Sequence, residues 1–516
     1  MSTSTTVCAA FKEMAARAGA ADFLTDPSQE FTLSYIATQA EVDDLVQRYR
    51  VAGYGHGHRV ALLLENRPAF LLHWLALNAL GAAVVPVNPY YRTREIRHLL
   101  RHSGVILAVV LEQRLEELRA LAECAIAGTD DIPCAASPPP RTDVPAGNSL
   151  CALLYTSGTS GEPKGCLLDN DYFLAMGRWY ISQGGLCAIE HGRERLVTPL
   201  PLYHMNAMAC SFMTMLLSGG CLIQLDRFHP ATWWQAVAAS KATIVHYLGV
   251  MPAILLGLDV CAEERRHRVR FGFGANVDPK HHAAFEARFG FPLIEAWAMT
   301  ETGAGACIAA NLEPRHVGSR CFGKPRDCEI RILDDGEFLV RHSAAAPRKN
   351  FFMGYHNDAA ASEAAWEGGW FHTGDVVREG PEGSLHFVDR RKNVIRRSSE
   401  NIAALEVESV ILELEWVVAA TVIAAPDELR GEEVMAFVVV GAGVPRDATA
   451  AAKVSAWCLQ QLAYYKAPGW VAFRDALPLT ATQKVRKAEL RPLTDDLAAL
   501  ADCFDMRNRK RAGRAP

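Results

Sequence analysis

No segment of the 516-residue chain is a charge-free apolar run of membrane-spanning length, and Met1 to Ala21 lacks a basic flank followed by an apolar core. Neither a transmembrane span nor a secretory leader is therefore expected, and the chain reads as cytoplasmic. Cationic excess is missing too. The 53 Lys and Arg stand against 58 Asp and Glu, and the formal charge of -5 gives no footing for nucleic acid. A basic run, Arg507 to Arg514, reads as a solvated tail. The fourteen cysteines show no paired metal-ligand spacing and are diluted through a long chain. That argues against a disulfide scaffold and for reduced, mostly buried thiols. No internal repeat is evident.

What is present is the composition of a globular protein, half hydrophobic and 22% charged. The length exceeds that over which one hydrophobic core keeps growing, so two or more cores are expected. From Arg59 the chain reads RVALLLE, an apolar helical stretch from Ala69 to Leu80, GAAVVPVN, a helix over Thr93 to Arg101, and VILAVV from Val105. Short unbroken apolar strands alternating with helical patterns predict a parallel sheet covered on both faces. The pattern returns at Ile223, at Ile244 to Tyr247 and at Phe271 to Gly274. Between about Gly323 and Val340 the texture changes to alternation around Asp335-Gly336, a pair that marks a tight hairpin turn. After Asp389 come a helix over Glu406 to Leu414, the strands VVAATVIAAP and GEEVMAFVVV, a helix over Ala450 to Leu462, and WVAFRD. The expected class is α/β: a large N-terminal α/β body with a β-rich section, residues 1–388, followed by a small α+β C-terminal domain, residues 389–516.

Tyr155 to Gly165 reads YTSGTSGEPKG, directly after the strand-like CALLY. Glycines let a backbone approach a ligand closely, and N–H groups, hydroxyls and a lysine ammonium can together cradle polyphosphate. The string is not a Walker A loop, because its glycine spacing differs and Pro163 precedes Lys164 where that motif has Gly. On composition alone, a flexible connection and a nucleotide site are equally open. The full string resembles the signature loop of the adenylate-forming superfamily, which includes acyl- and aryl-CoA ligases, luciferases and the adenylation domains of peptide synthetases. Further blocks in the same order extend the resemblance over essentially the whole chain. It implies that Thr156, Ser157, Gly158, Thr159, Ser160, Gly161 and Lys164 hold the phosphates of ATP.

Each later block has an ordinary structural reading and a role that the resemblance implies. In PLYHMNAM, His204 alone is a core or turn histidine, and the resemblance puts it at the acyl pocket. In FGFGANV, Gly274 and Ala275 could serve a buried strand end; by resemblance they pass beside adenine. AWAMTET supplies Trp297 for stacking on adenine, Thr300 for a phosphate and Glu301 for magnesium, which prefers hard oxygen ligands. Ala298 stands there in place of the family's usual glycine. WFHTGD reads first as a turn, yet Asp375 matches a carboxylate able to accept from both ribose hydroxyls. In the block from Asp389 to Glu408, Asp389 resembles the hinge between domains and Arg390 a ribose contact. Ser399 lines the pantetheine route and Glu400 belongs to the face that serves it, with Ser398 and Ser399 standing where many CoA ligases have glycines. PLTATQKVRKAEL aligns Lys484, by itself a surface charge, with the catalytic lysine of the small domain, and Gln483 replaces the usual glycine before it.

The implied chemistry has two steps. A carboxylate oxygen attacks the α-phosphate of ATP and releases pyrophosphate, and a thiolate or other nucleophile then takes the acyl group from the acyl-AMP. Alignment and charge stabilisation carry the catalysis. Lys484 bridges carboxylate and α-phosphate in the first step, and rotation of a mobile small domain about Asp389 brings in the Glu400 face for the second. Neither end of the sequence shows an appended carrier domain, so coenzyme A is the simplest acceptor and a separate carrier protein the alternative. His204, Asn206, His246 and Tyr247 add polarity to an otherwise apolar acyl site. That pattern is similar to crotonobetaine/carnitine-CoA ligase-like and aryl-acid enzymes and favours a small or medium acid. The expected cofactors are ATP, Mg²⁺ and coenzyme A. A carboxylic acid is the substrate partner, no nucleic acid or membrane span is expected, and a homodimer stays open. Nothing singles out a luciferase-like oxidative enzyme, and the phosphate and lysine set disfavours a nonenzymatic nucleotide-responsive module.

Overall fold

The computed structural model describes residues 5–27, 30–121, 123–135, 138–156, 163–390, 394–398, 400–478, 485–497 and 500–512. The chain divides into two compact units, one of residues 1–88, 100–155 and 165–389, the other of residues 89–99, 156–164 and 390–516.

In the first unit an eight-stranded sheet has the order Ile308–Ala309, Leu293–Trp297, Phe271–Ala275, Ile244–Leu248, Arg195–Thr198, Cys221–Gln224, Asp22–Asp26, Phe31–Ser34. Its neighbours are parallel except at the two edge strands. A seven-stranded sheet holds Ala83–Pro86, Arg59–Leu63 and Leu107–Val110 as parallel neighbours. Ala83–Pro86 and Leu107–Val110 are buried along their whole length. Strands covered on both faces have no solvent side to write into the sequence, which is why these run apolar without alternation. One core gathers Val60, Leu107 and Leu154 from this sheet with Leu196, Ile244 and Phe271 from the first, together with Trp74 and Phe173 from helices Pro68–Ala79 and Asn170–Ser182. The β-rich section is a five-stranded sheet. In it Glu329–Ile332 and Glu337–Arg341 form the expected hairpin, with Gly336 at φ 83° in its turn.

The second unit carries a hairpin of Val417–Asp427 with Gly431–Val440, and Trp470–Phe473 runs parallel to the latter. Helices Ala404–Ile411 and Ala448–Gln461 contribute Val407, Ile411 and Val454 to a core with Val438 and Val471. The class is thus an α/β body with a β-rich section and a smaller α+β C-terminal part.

The basic run is a correction. Arg507–Ala512 is a helix and not a solvated tail. Arg507 pairs with Asp427 and Asp505 and lies 4.6 Å over the Trp470 ring. Lys510 is buried against Glu433, which also accepts from Arg397 at 2.8 and 2.9 Å. A carboxylate with no exposed surface needs such cations, and they hold the helix on the domain. The cysteines form no disulfide and most are buried. Among the described residues, no helix is long and apolar enough to cross a membrane.

Candidate active site

Strands Ile244–Leu248, Phe271–Ala275 and Leu293–Trp297 are parallel neighbours, with Tyr247 beside Gly274 and Gly274 beside Glu295. Their carboxyl ends open on one edge, where ligands of α/β sheets bind. Space demands glycine at position 274, since a Cβ there would come within 2.2 Å of the Tyr247 carbonyl oxygen. Beyond Ala275 the chain turns through Asn276 at φ 63°. Glu295 holds that turn: its carboxylate accepts from the N–H groups of Asn276 at 2.9 Å and Val277 at 2.7 Å.

Trp297 ends the third strand. Its ring packs edge-on to Phe338 at 4.9 Å and tilted against Phe322 at 6.1 Å, and its Nε1 donates to Asp375 Oδ2 at 2.9 Å. Asp375 is 2% exposed and lies on strand Phe371–Glu379. Its N–H donates to Thr373 Oγ1 at 3.0 Å, and the Thr373 hydroxyl donates to the Phe338 carbonyl at 2.6 Å. A buried indole and a buried carboxylate, 78 residues apart in sequence, therefore meet at the carboxyl end of the sheet.

In the turn after Trp297, the Thr300 carbonyl accepts from Tyr172 Oη at 2.9 Å. Glu301 Oε1 accepts from Tyr355 Oη at 2.9 Å. Burial, reinforced by the Glu301 charge, pushes the Tyr355 phenol far above its ordinary range, so it remains a donor. The sequence blocks do not include Tyr355 or Glu295. Glu295 has a signal, a lone carboxylate inside the apolar strand LIEAW; Tyr355 has none. Among the described residues no three His, Cys, Asp or Glu converge on one point. The donor chemistry at Glu301, one hard carboxylate, fits a magnesium ion completed by phosphate and water rather than by a protein cage.

The AMP-binding enzyme profile matches residues 11–344, and the profile of the AMP-binding enzyme C-terminal domain matches residues 406–484. The chain belongs to the AMP-binding enzyme family. A sulfoacetate–CoA ligase from Cupriavidus necator is 30% identical, with 91% of this chain and 94% of that one covered. A crotonobetaine/carnitine–CoA ligase from Citrobacter koseri is 28% identical over 89% and 93%. Among solved structures, a double mutant of o-succinylbenzoate CoA synthetase from Bacillus subtilis, bound with a product analogue, has a TM-score of 0.81 at 24% identity, covering 94% and 98%. A malonyl-CoA ligase with methylmalonyl-CoA and AMP bound has a TM-score of 0.73 at 25% identity, covering 89% and 97%.

Two departures from the usual AMP-binding pattern differ in cost. Ala298 has no positive φ, so alanine replaces glycine there without backbone strain. Ser398 takes φ 59° in the turn between Val394–Arg397 and Glu400–Ala403, where Arg397 pairs with Glu400. Glycine accepts that conformation freely, whereas a side chain costs about 1–2 kcal/mol.

The AMP-binding family's signature loop joins two strands, Leu150–Thr156 and Lys164–Asp169, and so differs from a loop that opens a helix. Tyr155, just before it, shares a 2.7 Å hydrogen bond with His102 Nδ1. Ser157, Gly158, Thr159, Ser160 and Gly161 lie outside the described residues, as do Ser399, Gln483 and Lys484. Arg390 ends strand Leu385–Arg390, and its side chain is outside them too; Glu400 opens strand Glu400–Ala403.

His204 is half-buried against Tyr203, ring centres 4.6 Å apart, just before a π-helix at Asn206–Phe212. Such turns are rare and frequent at functional sites. His246 and Tyr247 depart from the expected polar lining. The two His246 ring nitrogens lie 2.7 Å from Ser211 Oγ and 3.1 Å from Tyr180 Oη, and burial pushes its pKa down to about 3. Tyr247 donates to the Ile294 carbonyl at 3.2 Å. These polar atoms are used inside the body.

Proposed function

We propose that this AMP-binding enzyme is an ATP-dependent acid–thiol ligase. It activates a small or medium carboxylic acid as the acyl-adenylate and passes the acyl group to coenzyme A, releasing AMP and pyrophosphate. The observation that carries this reading is the Trp297–Asp375 pair at the carboxyl end of the sheet. An aromatic face beside a buried carboxylate suits a nucleoside, and the relatives are named as CoA ligases.

The indole face takes adenine, with Gly274 and Ala275 along its edge on the turn that Glu295 holds. Asp375 accepts from the ribose hydroxyls, seconded by Arg390. Thr300 and the Thr156–Lys164 loop bind the phosphates. Glu301 holds Mg²⁺, which when bound offsets the charge of the leaving pyrophosphate. Lys484 bridges the acid and the α-phosphate while a carboxylate oxygen attacks phosphorus and the α–β bridge breaks. The thiolate of coenzyme A then attacks the acyl carbon and AMP departs. Ser399 and Glu400 line the thiol's approach, and the domain of residues 389–516 turns about Asp389 between the steps. His204 shapes the acyl pocket. The acids in the relatives' names, sulfoacetate and crotonobetaine, are small, which supports a small acid here.

Acid-dependent exchange of pyrophosphate into ATP, run over a panel of acids, tests the first step; mass detection of the acyl-CoA tests the second. Exchange without thioester in the presence of coenzyme A, together with loading of a carrier protein, replaces the acceptor. No exchange with any acid removes the reading altogether.

A further inference from the structure

We propose that the indole N–H of Trp297 positions the Asp375 carboxylate and thereby sets the enzyme's preference for a nucleotide with ribose hydroxyls. This role is separate from stacking by the ring face. It rests on the reading of Asp375 as the ribose carboxylate.

The last torsion of an aspartate is broad and two-fold, so a carboxylate does not hold its plane unaided. Here Oδ2 accepts from Trp297 Nε1 at 2.9 Å inside the body, where both residues are buried. The donor cannot easily turn away, because Phe338 meets the indole edge-on at 4.9 Å and Phe322 lies against it at 6.1 Å. The backbone end of Asp375 is held as well, through Thr373 Oγ1 to the Phe338 carbonyl. Phe338 therefore packs the donor and anchors the acceptor's strand, which closes a circuit of four residues. A carboxylate fixed in this way holds its plane, and two sugar O–H donors can meet it without reorganisation. A phenylalanine at 297 keeps an aromatic face but has no donor. Tyrosine's only donor lies at the far end of its ring.

The test uses the full-length protein and two probes, ATP and 2′,3′-dideoxy-ATP, with dissociation constants from calorimetry. Wild type is compared with Trp297→Phe and with benzothienylalanine at position 297, which keeps the shape of indole but carries sulfur in place of N–H. The preference for ATP over dideoxy-ATP is expected to fall about tenfold in both variants, the scale of one hydrogen bond to a charged group. The benzothienyl protein keeps an aromatic face of the same shape, and its readout is the ratio of the two dissociation constants rather than either one alone. Because that analogue fills the same space, it answers the question even where Trp297→Phe does not fold. A wild type that prefers ATP, with variants that keep the full preference, overturns the positioning role and leaves the ribose reading standing. A wild type that binds both nucleotides alike overturns the ribose reading and this proposal with it.

Discussion

A single hydrogen bond between Tyr355 and Glu301 holds one oxygen of the carboxylate assigned to magnesium. Removing it tests that assignment without opening a cavity, because the ring also packs on Phe352 at 4.8 Å. Tyr355→Phe should raise the Mg²⁺ concentration needed for half-maximal exchange about tenfold, the scale of one bond to a charged group, with little change in melting temperature. An unaltered magnesium dependence places the cation elsewhere. Lys484 separates the two chemical steps. Lys484→Ala should cut acid-dependent exchange about a hundredfold, roughly 3 kcal/mol of charge stabilisation, because no ammonium then bridges the acid and the α-phosphate. Supplied with presynthesised acyl-adenylate, the same variant should form acyl-CoA at nearly the wild-type rate. Equal loss of both steps argues against separate use of two faces of the small domain.

Among the elements, helix Asn170–Ser182 has a cap that titrates. Asp169 accepts from the Tyr172 N–H at 2.8 Å, which satisfies one of the orphan donors of the first turn. Burial raises its pKa from 3.8 to about 6, further aided by Asp171 and opposed by the cap bond. A carboxyl that holds its proton more tightly when folded contributes stability that is fully present below 3.8 and is lost as pH rises through about 6. Asparagine caps as well and does not titrate in this range. Asp169→Asn should therefore flatten this part of the melting profile between pH 4 and 7 and gain on wild type above pH 6. A profile with the wild-type slope assigns the titration to another group. The π-helix at Asn206–Phe212 shows where element reading stops. Nothing in NAMACSF departs from an ordinary apolar run, and its extra-wide turn is set by packing. One result is Ser211 Oγ, which donates to the Asn206 carbonyl at 3.3 Å and lies 2.7 Å from His246.

For the whole molecule the expectation is a chain that uses two arrangements of its units in turn. Distances between one label on each unit should differ between ATP with acid and an acyl-AMP analogue with coenzyme A. One invariant distance throughout turnover rules out the hinge at Asp389.

The sequence by itself determined the strands, because a strand buried on both faces must be apolar throughout, as Ala83–Pro86 and Leu107–Val110 are. It also determined the hairpin at Asp335-Gly336, whose turn needs a residue at ease with positive φ. The order of its blocks marked the family. Only the tertiary structure decided which side chains meet. Trp297 and Asp375 sit on strands 78 residues apart, Tyr355 reaches Glu301 from the two-residue strand Gly354–Tyr355 that has no signal of its own, and Lys510 turns inward from a run that reads as solvated. Periodicity and turn chemistry report how much of one element is exposed. A partner in another element depends on how the sheets and helices pack, and no local pattern encodes that.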